Sequence, residues 1–586
     1  ITSKYYEPKR RVLALNDFED VFNGYDLSNY KKISNSLREF LFDKKNLIMV
    51  ADGYYDGIVD NLGIIISKWD KILEYIKENK CDIIVDDDTL TDDGGSVHEL
   101  NNDLKAKIIF TDKMCPEHFG AKGDNETDDI NAINNLLSFV DTIYLNSKSY
   151  LTTDSIMLNN NNKIIGTKNA VIHKTSNNSI ITATGKTNII LKDFSITGEF
   201  SDSENQNAIA LYTCTNSIID NITISGVSND GVYLNTCTNI KVSNMNISNT
   251  KHAGYLCYQG DKCLFEKSII NGENSEFKYN CQFKSCVNST MDNITILNGT
   301  EISCYISQED IGDNPDTIRP VSNTINNIKC FNHGITWTPG STGYFNAIVI
   351  DGDFSTFSNL FVSSSYTGGV YSVNPCNSTI NNIIVNDFAK NGNYIGIYLR
   401  GSHNNITNLN TKEGNDYVGI RTSGSYNNYN NINTEDCGSS SNPQIQIGDS
   451  YSYLNNVTIV ANTKDVRGIS FYFSSTDSNH VTVNNLNTIK VDDTYSAYDI
   501  SGSVPNTVNI YALRPTKANI RGNMTKPFTY VNDKLTAYDI DSSNSYANLT
   551  WLAGDERVFS RTGIGAVGYE KTIYNGTSWV NVNNLS

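Results

Sequence analysis

The stretch Thr213-Cys214-Thr215-Asn216 returns one period later as Thr236-Cys237-Thr238-Asn239, and each copy leads into an Ile-rich element, Ile222-Thr223-Ile224-Ser225 or Met245-Asn246-Ile247-Ser248. The same rhythm passes through Cys286-Val287-Asn288-Ser289, Asn377-Ser378-Thr379-Ile380, Gly401-Ser402-His403-Asn404 and Gly424-Ser425-Tyr426-Asn427. Self-similarity at a period of roughly 20–50 residues means stacked supersecondary units, none of which buries its apolar face alone. Here each unit holds two or three short alternating strands separated by Asn, Ser and Gly. The expected fold is therefore mainly β, a right-handed parallel β-helix with one coil per period.

Composition narrows the rest. A chain of 586 residues exceeds one compact core and divides into two to four regions. With 39% hydrophobic residues, 34 Tyr, 40 Gly and only 10 Pro, it reads as strand-rich and not as disordered. No run approaches about 18 apolar residues, so no membrane span is expected. Ile1-Thr2-Ser3-Lys4 opens polar, without the pattern of a signal peptide. A net charge of −18 argues against nucleic acid as a partner. The 12 Cys show no zinc-type spacing, and Cys214, Cys237, Cys281, Cys286 and Cys330 fall where other repeats carry Ile, Val, Thr or Ser. They read as small buried residues of a protein that folds reduced inside a cell.

Helical periodicity is confined to residues 1–80. Val59, Leu62, Ile66, Trp69, Leu73 and Ile76 follow a 3-4 spacing, fitting either an amphipathic helix packed on its own domain or a three-chain coiled coil. Residues 81–117 carry short strand-like runs. Next comes His118-Phe119-Gly120-Ala121-Lys122-Gly123-Asp124, followed by Thr127-Asp128-Asp129. This segment resembles the FGAKGDGxTDDTxAI entry motif of the pectate-lyase-like superfamily, frequent at the front of phage tailspikes and preneck appendages. Physically, Gly120 and Gly123 permit tight turns, and the acids can cap a helix near 127–139 that closes the first coil. The solenoid is expected over 118–510, and residues 511–586 read as a small C-terminal β module.

Aligning the repeats converts sequence offsets into columns about 4.8 Å apart. Leu211, Leu234, Phe283, Ile350, Val373 and Leu399 are expected to share an inward column. The following residues, Tyr212, Asn235, Tyr258, Lys284, Asp351, Asn374, Arg400 and Ser423, then point outward. An earlier outward column contains Tyr233, Gln282, Tyr398 and Arg421. Between Lys284 and Asp351 one coil is longer than its neighbours by roughly eleven residues, a solenoid insertion of the kind that lengthens loops on a binding face. It places Glu309, Asp310, Asp313, Asp316 and Arg319 beside Lys284, Asp351 and Asp353, with His333 and Trp337 from a second excursion.

Glu309, Asp310, Asp313, Asp316, Asp351 and Asp353 are thus the candidate catalytic acids, because glycoside hydrolysis requires two carboxyl groups, one of them kept protonated by crowding. Lys284, Arg319, His333, Trp337, Tyr258, Arg400, Tyr398 and Arg421 are the candidate substrate-binding residues, aromatic faces and cations that suit sugars. Ordinary turn chemistry explains Asp-Asn-Pro-Asp equally well. No metal site is expected, and no cofactor. What the resemblance implies is a homotrimeric virion protein, made in the bacterial host cytoplasm, whose N-terminal region meets other tail proteins. Its solenoid would bind, and by hydrolysis degrade, a bacterial surface polysaccharide or teichoic acid. A polysaccharide lyase and a non-catalytic receptor-binding adhesin are the alternatives.

Overall fold

The computed structural model describes residues 113–199, 206–272, 279–308, 319–334, 346–390, 392–439, 441–462 and 466–472, and strands alone within 81–108 and 480–582. The N-terminal region expected to be helical, with Val59 to Ile76, lies outside the described residues. So do Glu309, Asp310, Asp313, Asp316 and Trp337. The chain folds as a parallel β-helix of about 13 turns and divides into two compact units, 1–224 and 225–586.

In the first unit, strands Cys81–Ile84, Val97–Glu99 and Lys105–Ile108 form a small antiparallel sheet with the last in the centre. The acidic motif that follows knots the chain before helix α1 (Ile130–Phe139). Asp124 accepts the N–H groups of Glu126 and Thr127 at 3.0 and 2.8 Å. Asp128 accepts that of Ile130 at 3.2 Å, and Asp129 reaches back to Lys122 and Gly123 at 2.6 and 3.0 Å. These carboxylates satisfy N–H groups that a turn and a helix start leave orphaned. The helix then buries Ile133, Leu136 and Leu137. Behind it Tyr150, Ile172 and Ile196 stack in register as fully buried rungs.

In the second unit one face is built by twelve parallel strands, the first nine being β1 (Asp230–Asn235), β2 (Ala253–Tyr258), β3 (Tyr279–Lys284), β4 (Ile302–Ser307), β5 (Asn346–Ile350), β6 (Gly368–Ser372), β7 (Ile397–Ser402), β8 (Ile420–Ser425) and β9 (Pro443–Ile447). Register is continuous. Leu234, Cys257, Phe283 and Ile306 face inward on successive coils, as do Val232, Tyr255, Cys281 and Cys304. Near the starts of β1 and β2 a glycine lies tight against the same coil: a Cβ on Gly231 would lie 3.0 Å from Ile247, and one on Gly254 2.8 Å from Ile270.

Two polar ladders hold the coils together. Inside, Ser289, Asn323, Ser355, Ser378, Asn404, Asn427 and Ser452 each accept the N–H of the equivalent residue one coil back, at 2.9–3.1 Å. Outside, Asn359, Asn382, Asn408 and Asn431 hold positive φ, between 54° and 57°. Asn tolerates this left-handed conformation because its short side chain bonds locally, and here its amide also bonds the coil below, as in Asn382 to Asn359 at 2.7 Å. The Asn-rich composition is thus a turn requirement.

The register corrects one column. Ile350 pairs with Ser372, so Ser372 faces inward and Val373, not Asn374, follows it outward. The turn from Ser372 to Cys376 is one residue longer than that from Leu399 to Ser402, with which it aligns. Parallel pairing also continues to Ile520, past the expected boundary at 510. Beyond it, five strands between Tyr530 and Val582 form a separate sheet. Among the described residues the cysteines are free thiols, nine of them buried, and no helix is long and apolar enough to cross a membrane.

Candidate functional site

Along β1–β9 the outward face carries three columns. The first begins each strand with Asp230, Ala253, Tyr279 and Ile302. The second reads Tyr233, Leu256, Gln282, Tyr305, Val349, Tyr371, Tyr398 and Arg421. The third ends the strands with Asn235, Tyr258, Lys284 and Ser307, and continues with Asp351, Val373, Arg400 and Ser423. Ile302, Val349 and Tyr371 are buried although they face outward, with Tyr279, Tyr305, Val373 and Tyr398 packed against them. This is an apolar, tyrosine-rich strip on a rigid sheet.

Its charged centre is Arg319, which returns from the long insertion. One guanidinium nitrogen, Nη2, lies 3.0 Å from Asp351 Oδ1 and 3.4 Å from Asp353 Oδ1, and donates to the Asn374 carbonyl at 2.7 Å. Sharing that nitrogen keeps the two carboxyl oxygens no more than about 6.4 Å apart, close enough to act on one glycosidic bond. The two acids differ in environment. Asp351 is 2% exposed, whereas Asp353 is 25% exposed at its side chain. Burial pushes the Asp351 carboxyl above its ordinary range, partly offset by Arg319 and by the N–H groups of Gly352 and Asn374, while Asp353 adds to the push. A buried acid that favours its proton beside a more open carboxylate is the division of labour acid-assisted hydrolysis requires.

Around this centre the cations are held against rings. Arg400 donates to the Tyr371 hydroxyl at 3.0 Å, and Arg421 lies 4.9 Å from the centre of the Tyr398 ring. The Tyr371 and Tyr398 rings are 5.3 Å apart, as are Tyr279 and Tyr305. Lys284 sits 5.8 Å from the Tyr258 ring. Arg319, Asp351 and Asp353 therefore form one cluster, and Lys284, Tyr258, Tyr398, Arg400 and Arg421 line the same face. His333 does not. It is wholly buried, its Nδ1 2.9 Å from Ser303 Oγ, and burial lowers its pKa to about 3. As a neutral interior side chain it cannot touch a substrate, because its ring packs inside the coil against Ser303. Sequence reading missed Tyr305 and Tyr371, which belong to columns already recognised and needed only the corrected register. Among the described residues no group of three or more His, Cys, Asp or Glu is arranged to hold a metal ion.

Residues 117–312 match the family model for rhamnogalacturonase A/epimerase, pectate lyase-like. That segment is a pectate-lyase-like domain. Comparison with curated protein sequences finds none that matches. Among solved structures, the N-terminal fragment of bacteriophage Phi29 gene product 12 is similar at 13% identity and TM-score 0.41, over 72% of this chain and 88% of that one. The A-module of the Azotobacter vinelandii mannuronan C-5 epimerase AlgE6 is 13% identical with TM-score 0.37, over 64% and 99%. Tailspike protein 3 of bacteriophage CBA120 is 13% identical with TM-score 0.37, over 93% and 79%.

Proposed function

We propose that this chain is a phage tail protein that binds a bacterial surface polysaccharide along the β1–β9 face and cuts it by hydrolysis. The observation that carries the reading is the Arg319–Asp351–Asp353 cluster, an unequal carboxyl pair joined by one guanidinium nitrogen on a tyrosine-lined strip. In this reading Asp351 protonates the glycosidic oxygen while Asp353 attacks or stabilises the sugar carbon. Arg319 holds both carboxyls in place until the substrate enters. Tyr398 and Tyr305, packed on the buried Tyr371, contact sugar rings, and Arg400 and Arg421 supply donors to hydroxyl or acidic groups. The family model that matches 117–312 is named for a rhamnogalacturonase and an epimerase, which supports a saccharide as the ligand class. A teichoic acid, a phosphodiester-linked polyanion, is a separate substrate class, favoured only where local Lys and Arg offset the net charge of −18. Attachment to other tail proteins, assembly as a homotrimer and synthesis in the host cytoplasm are parts of the same proposal.

The test is incubation of purified protein with host wall polymer, followed by size analysis and ultraviolet absorbance. Shortened chains without new absorbance near ~235 nm fit hydrolysis, whereas unsaturated ends would mean a lyase. Asp351→Asn should lower chain cleavage by about 10²–10⁴-fold with polymer binding retained. Binding without any cleavage by the wild-type protein would make this an adhesin and sink the enzymatic reading.

A further inference from the structure

The first outward column carries a second centre that the acid pair does not use. Asp230 opens β1 and is buried, with its Oδ1 2.7 Å from His252 Nδ1. The imidazole is 34% exposed and stands edge-on to the Tyr279 ring at 5.8 Å. Ala253 occupies the column between Asp230 and Tyr279, and its small side chain leaves the imidazole room to bridge the coils. The arrangement has a direction. With Asp230 ionised, Nδ1–H donates to the carboxylate, which leaves the lone pair on Nε2, away from Asp230. Burying that carboxylate is costly, as the rise in its pKa through desolvation reflects. A half-exposed histidine on a solvated face has no structural need of such a partner.

We propose that His252 is a general base, oriented by Asp230, that hydrolyses a neutral carboxylic ester borne by the polymer. The inference rests on the reading that this face meets the polymer, but it assigns a different reaction to different residues. Counted by coils, His252 lies about 14 Å along the axis from Asp351, far enough for separate chemistry on one bound chain. The ester class follows from charge. Among the described residues, the ionisable groups nearest the imidazole are Asp230 and Tyr279, with Glu301 and Tyr305 acting on Tyr279 and Lys251 adjoining in sequence. Two carboxylates against one ammonium disfavour a phosphodiester and leave an uncharged acyl ester unopposed. In the reaction Nε2 takes a proton from water as the water oxygen bonds to the acyl carbon, and the carbonyl electron pair moves onto oxygen. Tyr279, whose hydroxyl burial keeps protonated, is the donor to that oxyanion. Collapse breaks the bond to the sugar oxygen, which recovers the proton from the imidazolium, giving a carboxylic acid and a sugar hydroxyl.

The experiment uses 4-nitrophenyl acetate and the host wall polymer, scoring ester release and chain shortening separately in the same samples. His252→Gln should reduce ester release by about 10²-fold or more, with an unchanged unfolding midpoint. Asp230→Asn should move the acid-side midpoint of the pH–rate profile downward, because an amide no longer stabilises the imidazolium. A merely structural Asp230 would leave that midpoint in place, which refutes its positioning role. Equal ester release by His252→Gln and wild type, or none by wild type, overturns the proposal. Chain shortening reports only on Asp351 and Asp353, so the two readings fail independently.

Discussion

At the scale of single residues, environment decides what each carboxyl does. Asp353 and Asp351 share Arg319, yet only Asp351 is buried. Asp449 is buried deeper still, inside the solenoid, where it accepts the Tyr429 hydroxyl at 2.6 Å while its Oδ1 has no hydrogen-bond partner. Desolvation raises its pKa above the unfolded value, so the neutral acid is the form the fold prefers. The sign follows: this preference stabilises the protein below the unfolded pKa and is lost as pH rises toward the folded one. Asp449→Asn should therefore stabilise the fold by on the order of 1–2 kcal/mol at pH 7. The gain should shrink as pH falls well below about 4, where both states hold the proton. Thermal unfolding followed by circular dichroism across that range checks it, and a mutant less stable at pH 7 contradicts it.

Among structural elements, the coils depend on polar ladders as much as on apolar rungs. Asn404 accepts the Ser378 N–H at 2.9 Å and donates to the Pro375 carbonyl at 2.8 Å, both within the core. Asn404→Ala orphans a buried donor and a buried acceptor, and should cost about 2–4 kcal/mol in urea unfolding. Asn382 holds the exposed left-handed turn at φ 55°, where Asn382→Gly should stay within about 1 kcal/mol of wild type and Asn382→Val should cost about 1–2 kcal/mol. The contrast separates the two ladders, since one is needed for hydrogen-bond satisfaction and the other chiefly for backbone conformation. Both kinds of Asn look alike in sequence. What distinguishes them is which side of the turn the side chain takes, and a one-residue difference in turn length, as between Ser372 and Cys376, exchanges the sides.

For the whole molecule, a solenoid is a ruler. It spaces side chains at a fixed interval, so the face can engage several units of one polymer without a deep pocket. Removing stacking contacts far from the acids should weaken binding before it affects cleavage. Tyr398→Ala, which also strips Arg421 of its ring, should raise the Kd for host polymer by roughly 10-fold, measured by titration calorimetry with the Asp351→Asn protein. The full chain should sediment at three times the chain mass, as a homotrimer requires.

Much of the fold was legible because repetition is a one-dimensional property. Thr-Cys-Thr-Asn fixed the coil, the insertion after Ile306 showed as a break in the period, and Tyr258, Lys284, Arg400 and Arg421 fell into columns by counting alone. The entry motif was readable as turns and a cap because its acids bond to N–H groups close by in the chain. The candidate site was readable only where counting held. His333 belonged by its number to the excursion, yet its ring turned inward, a choice made by packing against Ser303. Asp230 and His252 carried no sequence signal at all, because the residues that meet there come from neighbouring coils. Sequence by itself determined the period, and with it the architecture, since a local pattern repeated is enough to stack. Only tertiary structure decided which acids are buried, which share a cation and which histidine faces the groove, because desolvation and pairing depend on neighbours that the chain brings together from far apart.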